Sequence, residues 1–123
     1  MINWSEVKHF KQEEFMCKCG CCFNNINDEL VLLLDIARGL AKVPFSINSA
    51  CRCDKHNKQI GGVEDSAHTK GLAVDISTLS DSVRFAVVSA LLKVGFKRVL
   101  MYSTFVHVDE DLTKPNPILK IMK

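Results

Sequence analysis

Ser66-Ala67-His68-Thr69-Lys70-Gly71-Leu72-Ala73-Val74-Asp75, answered about thirty residues later by His107-Val108-Asp109, decides the reading of this chain. The two stretches supply two imidazoles and a carboxylate. These are the donor types a hydrolytic zinc ion takes from its protein while a fourth position stays open. Gly71 lets the loop carrying His68 fold back on the segment Leu72–Ile76, whose alternation puts Ala73 and Asp75 on one face of a strand. Phe105, His107 and Asp109 share a face of a second short strand in the same way. Two strands and a Gly-hinged loop can therefore converge on one divalent ion, and the chain reads as a mononuclear zinc hydrolase.

Outward from these segments the chain alternates helix and strand. Asn27 is placed to cap a helix, with Asp28 and Glu29 near the positive end of its dipole. Leu30, Leu33, Leu34, Ala37, Leu40 and Ala41 then recur at core-facing spacing until Pro44 stops the helix. Phe45–Ser49 alternates as a strand, residues 54–60 form a helical turn ended by Gly61-Gly62, and residues 63–71 are a polar loop before the strand Leu72–Ser77. Ser80 or Asp81 caps a second long helix, with Val83, Ala86, Val87, Ala90 and Leu91 at helical spacing and Gly95 closing it. Lys97–Tyr102 and Thr104–Val108 read as neighbouring strands, and the tail from Leu112, with Pro115 and Pro117, as extended chain. This order predicts an α+β fold: a small, mainly antiparallel sheet with helices packed on one face.

Residues 1–123 are expected to form a single domain with one hydrophobic core. Apolar content of 47% with 24% charge suits a soluble globular chain. A net charge of +2, with no Lys/Arg stripe, argues against a nucleic-acid partner. No apolar run reaches the length of a membrane span, and Met1–Glu6 lacks the basic-then-apolar pattern of a secretory signal, so a monomer made in the cytoplasm is expected. Six cysteines permit fifteen full pairings, and a reducing compartment argues against a disulfide framework. Cys19-x-x-Cys22 has the spacing of a zinc knuckle, to which Cys51 and Cys53 can add thiolates. The alternative is that several of Cys17, Cys19, Cys21, Cys22, Cys51 and Cys53 are small buried hydrophobes.

The motif S-x-H-x-x-G-x-A-x-D followed by H-x-D resembles the signature of the zinc D-alanyl-D-alanine carboxypeptidases and L-alanyl-D-glutamate endopeptidases of peptidoglycan, with the hedgehog signalling domain as a distant fold relative. Ile47–Arg52, His56-Asn57 and Gly61-Gly62 resemble the family's stretch ahead of the metal motif, and Tyr102–Asp109 its closing strand. Phe15–Cys21 matches an N-terminal pattern of small, mostly phage-type members. The resemblance implies a hedgehog-like fold and a zinc peptidase cutting a stem-peptide bond, either L-Ala-D-Glu or D-Ala-D-Ala. It further implies an endolysin or virion-associated lysin that reaches the wall after holin release, lysis or virion delivery. It makes His68, Asp75 and His107 the ligands of one Zn2+, and it gives Arg52 a catalytic and substrate-binding role, since a planar guanidinium suits a substrate carbonyl or carboxylate beside the metal.

One departure stands out. Many relatives carry a Glu three residues before the last histidine; here that position is Thr104, which cannot serve as the base. Asp109, on the strand face of His107, is the preferred catalytic carboxylate, either as the base or, equally, as the acceptor that orients a ligand imidazole. Glu64 and Asp65, in the loop before Ser66, read more simply as solvated charges. Ser66 either hydrogen-bonds substrate or fixes the His68 loop. His9 is expected at the surface, His56 near the site without being a ligand, and Tyr102 either near the site or in the core. Thr104 keeps open the alternative of an inactive, zinc-stabilised module that binds peptidoglycan or serves a phage structure.

Overall fold

The computed structural model describes residues 2–123. Helix α1 (Asp28–Ala41) starts where Asn27 Oδ1 accepts a hydrogen bond from the Leu30 amide at 3.0 Å. It ends short of Pro44, at Lys42 in the left-handed region (φ 58°), so a backbone turn and not the proline stops it. Leu30, Val31, Leu34 and Ala37 are buried, whereas Leu40 is half exposed: the buried face is set by the neighbouring helix and lies closer to Val31 than the sequence spacing suggests. That neighbour is α3 (Asp81–Lys93), whose cap is Ser80, with Oγ accepting from the Val83 amide at 3.2 Å. Between the two long helices lies the short α2 (Asp54–Gln59).

Five strands form one sheet: β1 (Ile47–Ser49), β2 (Ala73–Ser77), β3 (Arg98–Met101), β4 (Phe105–Asp109) and β5 (Ile118–Ile121), in the order β1-β2-β4-β3-β5. All neighbours are antiparallel except β3 and β5. The α+β architecture matches the sequence expectation. The tail does more than extend, however, because it adds β5 as a parallel edge strand through Ile118 N to Lys97 O and Met122 N to Met101 O, both 2.8 Å. Leu119 and Ile121 are exposed, so no burial alternation announces this strand in the sequence.

Strand parity positions the site. Val74 and Ile76 of β2, Val106 and Val108 of β4 and Val99 of β3 are fully buried in the core shared with α1 and α3. The register pairs Ala73 with Asp109 and Asp75 with His107, so the opposite face collects the polar side chains. Each buried Val or Ile contributes about 1.5–3 kcal/mol, and a slip by one residue would turn Asp75 and His107 into the core. The apolar face thus holds the polar face in register. Ahead of α1, Phe15 packs against Trp4 and Phe10, and its carbonyl accepts from the Cys51 amide at 3.0 Å, tying the N-terminal segment to the loop after β1. Among the described residues no helix is long and apolar enough to cross a membrane.

Candidate metal centre

Asp75 on β2 and His107 on β4 face each other across a strand pair, and His68 reaches them from the turn before β2. His107 Nδ1 lies 2.9 Å from Asp75 Oδ1, and His68 Nε2 lies 3.3 Å from the same oxygen. The two rings meet edge to face, 5.1 Å between centroids. One donor atom from each of the three residues falls within 4.8 Å of the others. The turn is built by Ala67 O, which accepts from the Lys70 and Leu72 amides, and by Ser66 Oγ, which accepts from the His68 amide at 3.2 Å. Gly71 closes it at φ 71°, where a Cβ would stand 2.0 Å from Asn25 O; no other residue fits this approach to the start of α1.

Each imidazole is anchored through its other nitrogen. His68 Nδ1 donates to Ala50 O at 2.7 Å, which turns Nε2 toward Asp75. His107 Nε2 lies 2.7 Å from Asp109 Oδ2. Asp109 is 1% exposed, and its Oδ1 accepts from Arg98 Nε and from the Asp111 amide, both at 2.9 Å. Burial opposes ionisation of Asp75, but hydrogen bonds from His107 and His68 outweigh it and bring the carboxyl down to about 2. Burial also works against charge on His107, yet its hydrogen bonds to Asp109 and Asp75 raise its pKa above 6.5. Without metal, His107 therefore donates from both nitrogens to carboxylates. Exchanging the Nδ1 proton for a divalent cation would leave Nε2–H on Asp109. Two neutral imidazoles with anchored far nitrogens plus one ionised carboxylate is a donor set that fits zinc.

A cleft of about 470 Å3 opens over this centre, lined by Arg52, Ser66, His68, Asp75, Tyr102, Lys114 and Asp109 among others. Arg52 is mostly buried; its Nη1 donates to Asn57 Oδ1 at 2.8 Å and its Nη2 to Ser49 Oγ at 3.4 Å. Its Nε has no partner, and it makes no ion pair among the described residues. Asn57 is itself fixed by donating to Val63 O at 2.8 Å, and Gly62 lets that loop close over the pair, since a Cβ there would meet Asn57 Oδ1 at 2.0 Å. The result is a guanidinium held at the wall of the cleft with donors to spare.

A family model described as Peptidase M15 matches residues 8–109, a span that contains the whole centre. The chain belongs to the Peptidase M15 family. M15 peptidases are zinc-dependent metallopeptidases, in accord with the donor set. No curated protein matches the chain.

In this M15 chain the cleft brings together His68, Asp75, His107, Arg52, Ser66 and Asp109, with Ser66 Oγ accepting from the His68 amide. Tyr102 also lines it, stacked on Phe105 with centroids 4.3 Å apart. Thr104 is exposed in the β3–β4 turn and outside the cleft. Glu64 and Asp65 are exposed and outside it too, Asp65 pairing with Lys70 at 2.9 Å. His9 is exposed and His56 sits half-buried on α2, away from the centre. Among the described residues, Asp75 and Asp109 are the carboxylates lining the cleft. Sequence reasoning passed over three supports: the Ala50 carbonyl, Asn57 and Arg98. A lone arginine in the apolar strand Arg98–Met101 was the available signal for the last of them.

Proposed function

We propose that this M15 peptidase hydrolyses a bond of the peptidoglycan stem peptide, as an L-Ala-D-Glu endopeptidase or a D-Ala-D-Ala carboxypeptidase. In this reading it serves as a phage-type endolysin or virion-associated lysin and reaches the wall after holin release, lysis or virion delivery. The observation that carries the reading is a set of only three metal donors beneath an open cleft, with the Arg52 guanidinium at its wall. A zinc ion confined to structure usually takes four protein ligands. Held by His68, Asp75 and His107, zinc would supply Lewis acidity to polarise a carbonyl and lower the pKa of water.

The chain's own residues do the rest. Arg52, which has guanidinium donors to spare, donates to a substrate carbonyl or carboxylate, which suits the acidic groups of a stem peptide. Asp109 is buried with both oxygens engaged, which supports the orienting role over that of base: it keeps His107 in one tautomer and one ring position.

The same engagement favours a second reading. With Thr104 outside the cleft, no unengaged carboxylate among the described residues stands ready to take a proton from water. That supports a zinc-stabilised module that binds muropeptides, or serves a phage structure, without turnover. Mass spectrometry of purified peptidoglycan digested by zinc-loaded protein, beside His68→Ala, separates the two. New stem-peptide termini absent from the control support the peptidase and identify the bond. Intact muropeptides from folded, zinc-bearing protein support the inactive module.

A further inference from the structure

We propose that Cys17, Cys19, Cys21 and Cys53 form a second zinc site, a closed tetrathiolate that clips the N-terminal segment to the loop carrying Arg52. The sulfurs of Cys17, Cys19 and Cys53 make a nearly equilateral triangle, with sides of 3.5, 3.8 and 3.6 Å. Cys21 completes the group, all four sulfurs lying within 4.8 Å of one another. Four sulfurs at about 2.3 Å from a zinc ion in tetrahedral array stand about 3.8 Å apart. A disulfide would instead show one pair near 2.05 Å. The sulfurs are arranged as a face of a coordination polyhedron, not as pairs.

The surrounding backbone points the same way. Gly20 (φ 91°) and Cys22 (φ 63°) curl the loop, and the Cys17 amide closes it on Phe23 O at 2.8 Å. Three amides aim at the sulfurs: Cys53 N at Cys17 Sγ, His56 N at Cys53 Sγ and Phe23 N at Cys21 Sγ, each 3.4 Å. Such donors orient and stabilise metal-bound thiolates. Cys22 and Cys51 stand apart. Cys51 Sγ donates to Asn24 Oδ1 at 3.4 Å, and the Cys22 sulfur is turned toward Gly20 O. The expected Cys19-x-x-Cys22 pair is thus replaced by Cys17-x-Cys19-x-Cys21 with the distant Cys53. Four soft thiolates in a tetrahedron select zinc or iron, and the four-ligand set makes the site structural.

Its position gives it a consequence. Cys53 caps α2 and follows Arg52, whose amide donates to His68 O at 3.2 Å; the preceding Ala50 carbonyl anchors His68. The clip therefore steadies the stretch that sets both the cleft arginine and one ligand imidazole.

Metal analysis of protein purified under reducing conditions tests this. Wild type is expected to hold two zinc ions per chain, Cys19→Ser one, His68→Ala one and Cys22→Ser two. One zinc in wild type that Cys19→Ser leaves unchanged would overturn the proposal, as would iron in the cysteine site. Thiol titration of native wild type needs no variant to fold. Cys19 and Cys21, although exposed, are expected to stay unreactive until a chelator is added, whereas prompt reaction of both in zinc-loaded protein, or a mass showing a disulfide among the four, would sink it. Loss of zinc from the His68 centre alone shows in His68→Ala and leaves the cysteine result intact.

Discussion

His107 Nε2 and Asp109 Oδ2 stand 2.7 Å apart, and the other oxygen of that carboxylate is held by Arg98 Nε at 2.9 Å. With Asp75 on the far side of the ring, the series Asp75, His107, Asp109, Arg98 runs across β2, β4 and β3 and fixes one imidazole from both sides. Asp109→Asn is expected to weaken zinc affinity or activity by about 10–100-fold, the range for partners that orient metal ligands. A chelator competition separates the roles. An orienting Asp109 lowers zinc affinity when replaced, whereas a base would leave affinity intact and lower kcat alone.

Asn57 Oδ1 and Ser49 Oγ together hold the Arg52 guanidinium at the cleft wall, Asn57 by the shorter bond. Arg52→Ala is expected to lower kcat/KM by about 10²-fold with zinc content unchanged, as for loss of one preorganised donor to developing charge. Asn57→Ala should give a smaller loss in kcat/KM and cost about 1–3 kcal/mol of stability, because the Val63 carbonyl also loses its partner. Steady-state kinetics and urea melts read the two effects separately.

The metal-free protein should be most stable in a window set by the same residues. Asp75 is lowered from 3.8 to about 2, so its contribution is complete above pH 4 and is lost as pH falls through 2. His107 is raised above 6.5, so its contribution is complete below pH 6.5 and is lost as pH rises through the folded value. Thermal melts of metal-free protein should therefore weaken on both sides of pH 4 to 6.5. Asp75→Asn should reduce the loss on the acid side, to which Asp109 and Asp111, likewise held below the ordinary carboxylate value, also contribute. His107→Gln should reduce the loss on the alkaline side. Zinc competes with the His107 proton, so its affinity should rise with pH over the alkaline limb.

Gly71→Ala places a methyl group 2.0 Å from Asn25 O in a left-handed backbone. A cost of about 2–3 kcal/mol is expected, a fall in Tm of roughly 6–12 °C, with zinc affinity reduced because the His68 turn shifts with it. An unchanged melt would show that the turn relaxes freely.

Much of this centre is legible in the sequence because parity is local. Ala73–Ile76 and Phe105–Asp109 alternate, so the strand faces of Asp75 and His107 follow from their neighbours. Asn27 is likewise legible as a cap, needing only the next three residues, and Ser80 is one of the two candidates, with Asp81, that the sequence offers for the other helix. What depends on distant chain is not. The Arg98–Asp109 pair needs the β3–β4 register, β5 is an exposed edge strand without alternation, and Leu40 is exposed because α3 chooses the face of α1. The cysteines show this most plainly. Local spacing favours Cys19 with Cys22, but the φ angles of Gly20 and Cys22 and the approach of Cys53 bring Cys17, Cys19 and Cys21 together instead.

Hydrolysis that depends on an ion held by His68, Asp75 and His107 is the core of this account. Amine release from a purified muropeptide, followed as zinc is returned to metal-free wild-type and His68→Ala protein, tests it most directly. Release that grows with zinc in wild type and is absent from folded His68→Ala is the predicted result. Equal release by both proteins, or none from zinc-loaded wild type, would contradict it.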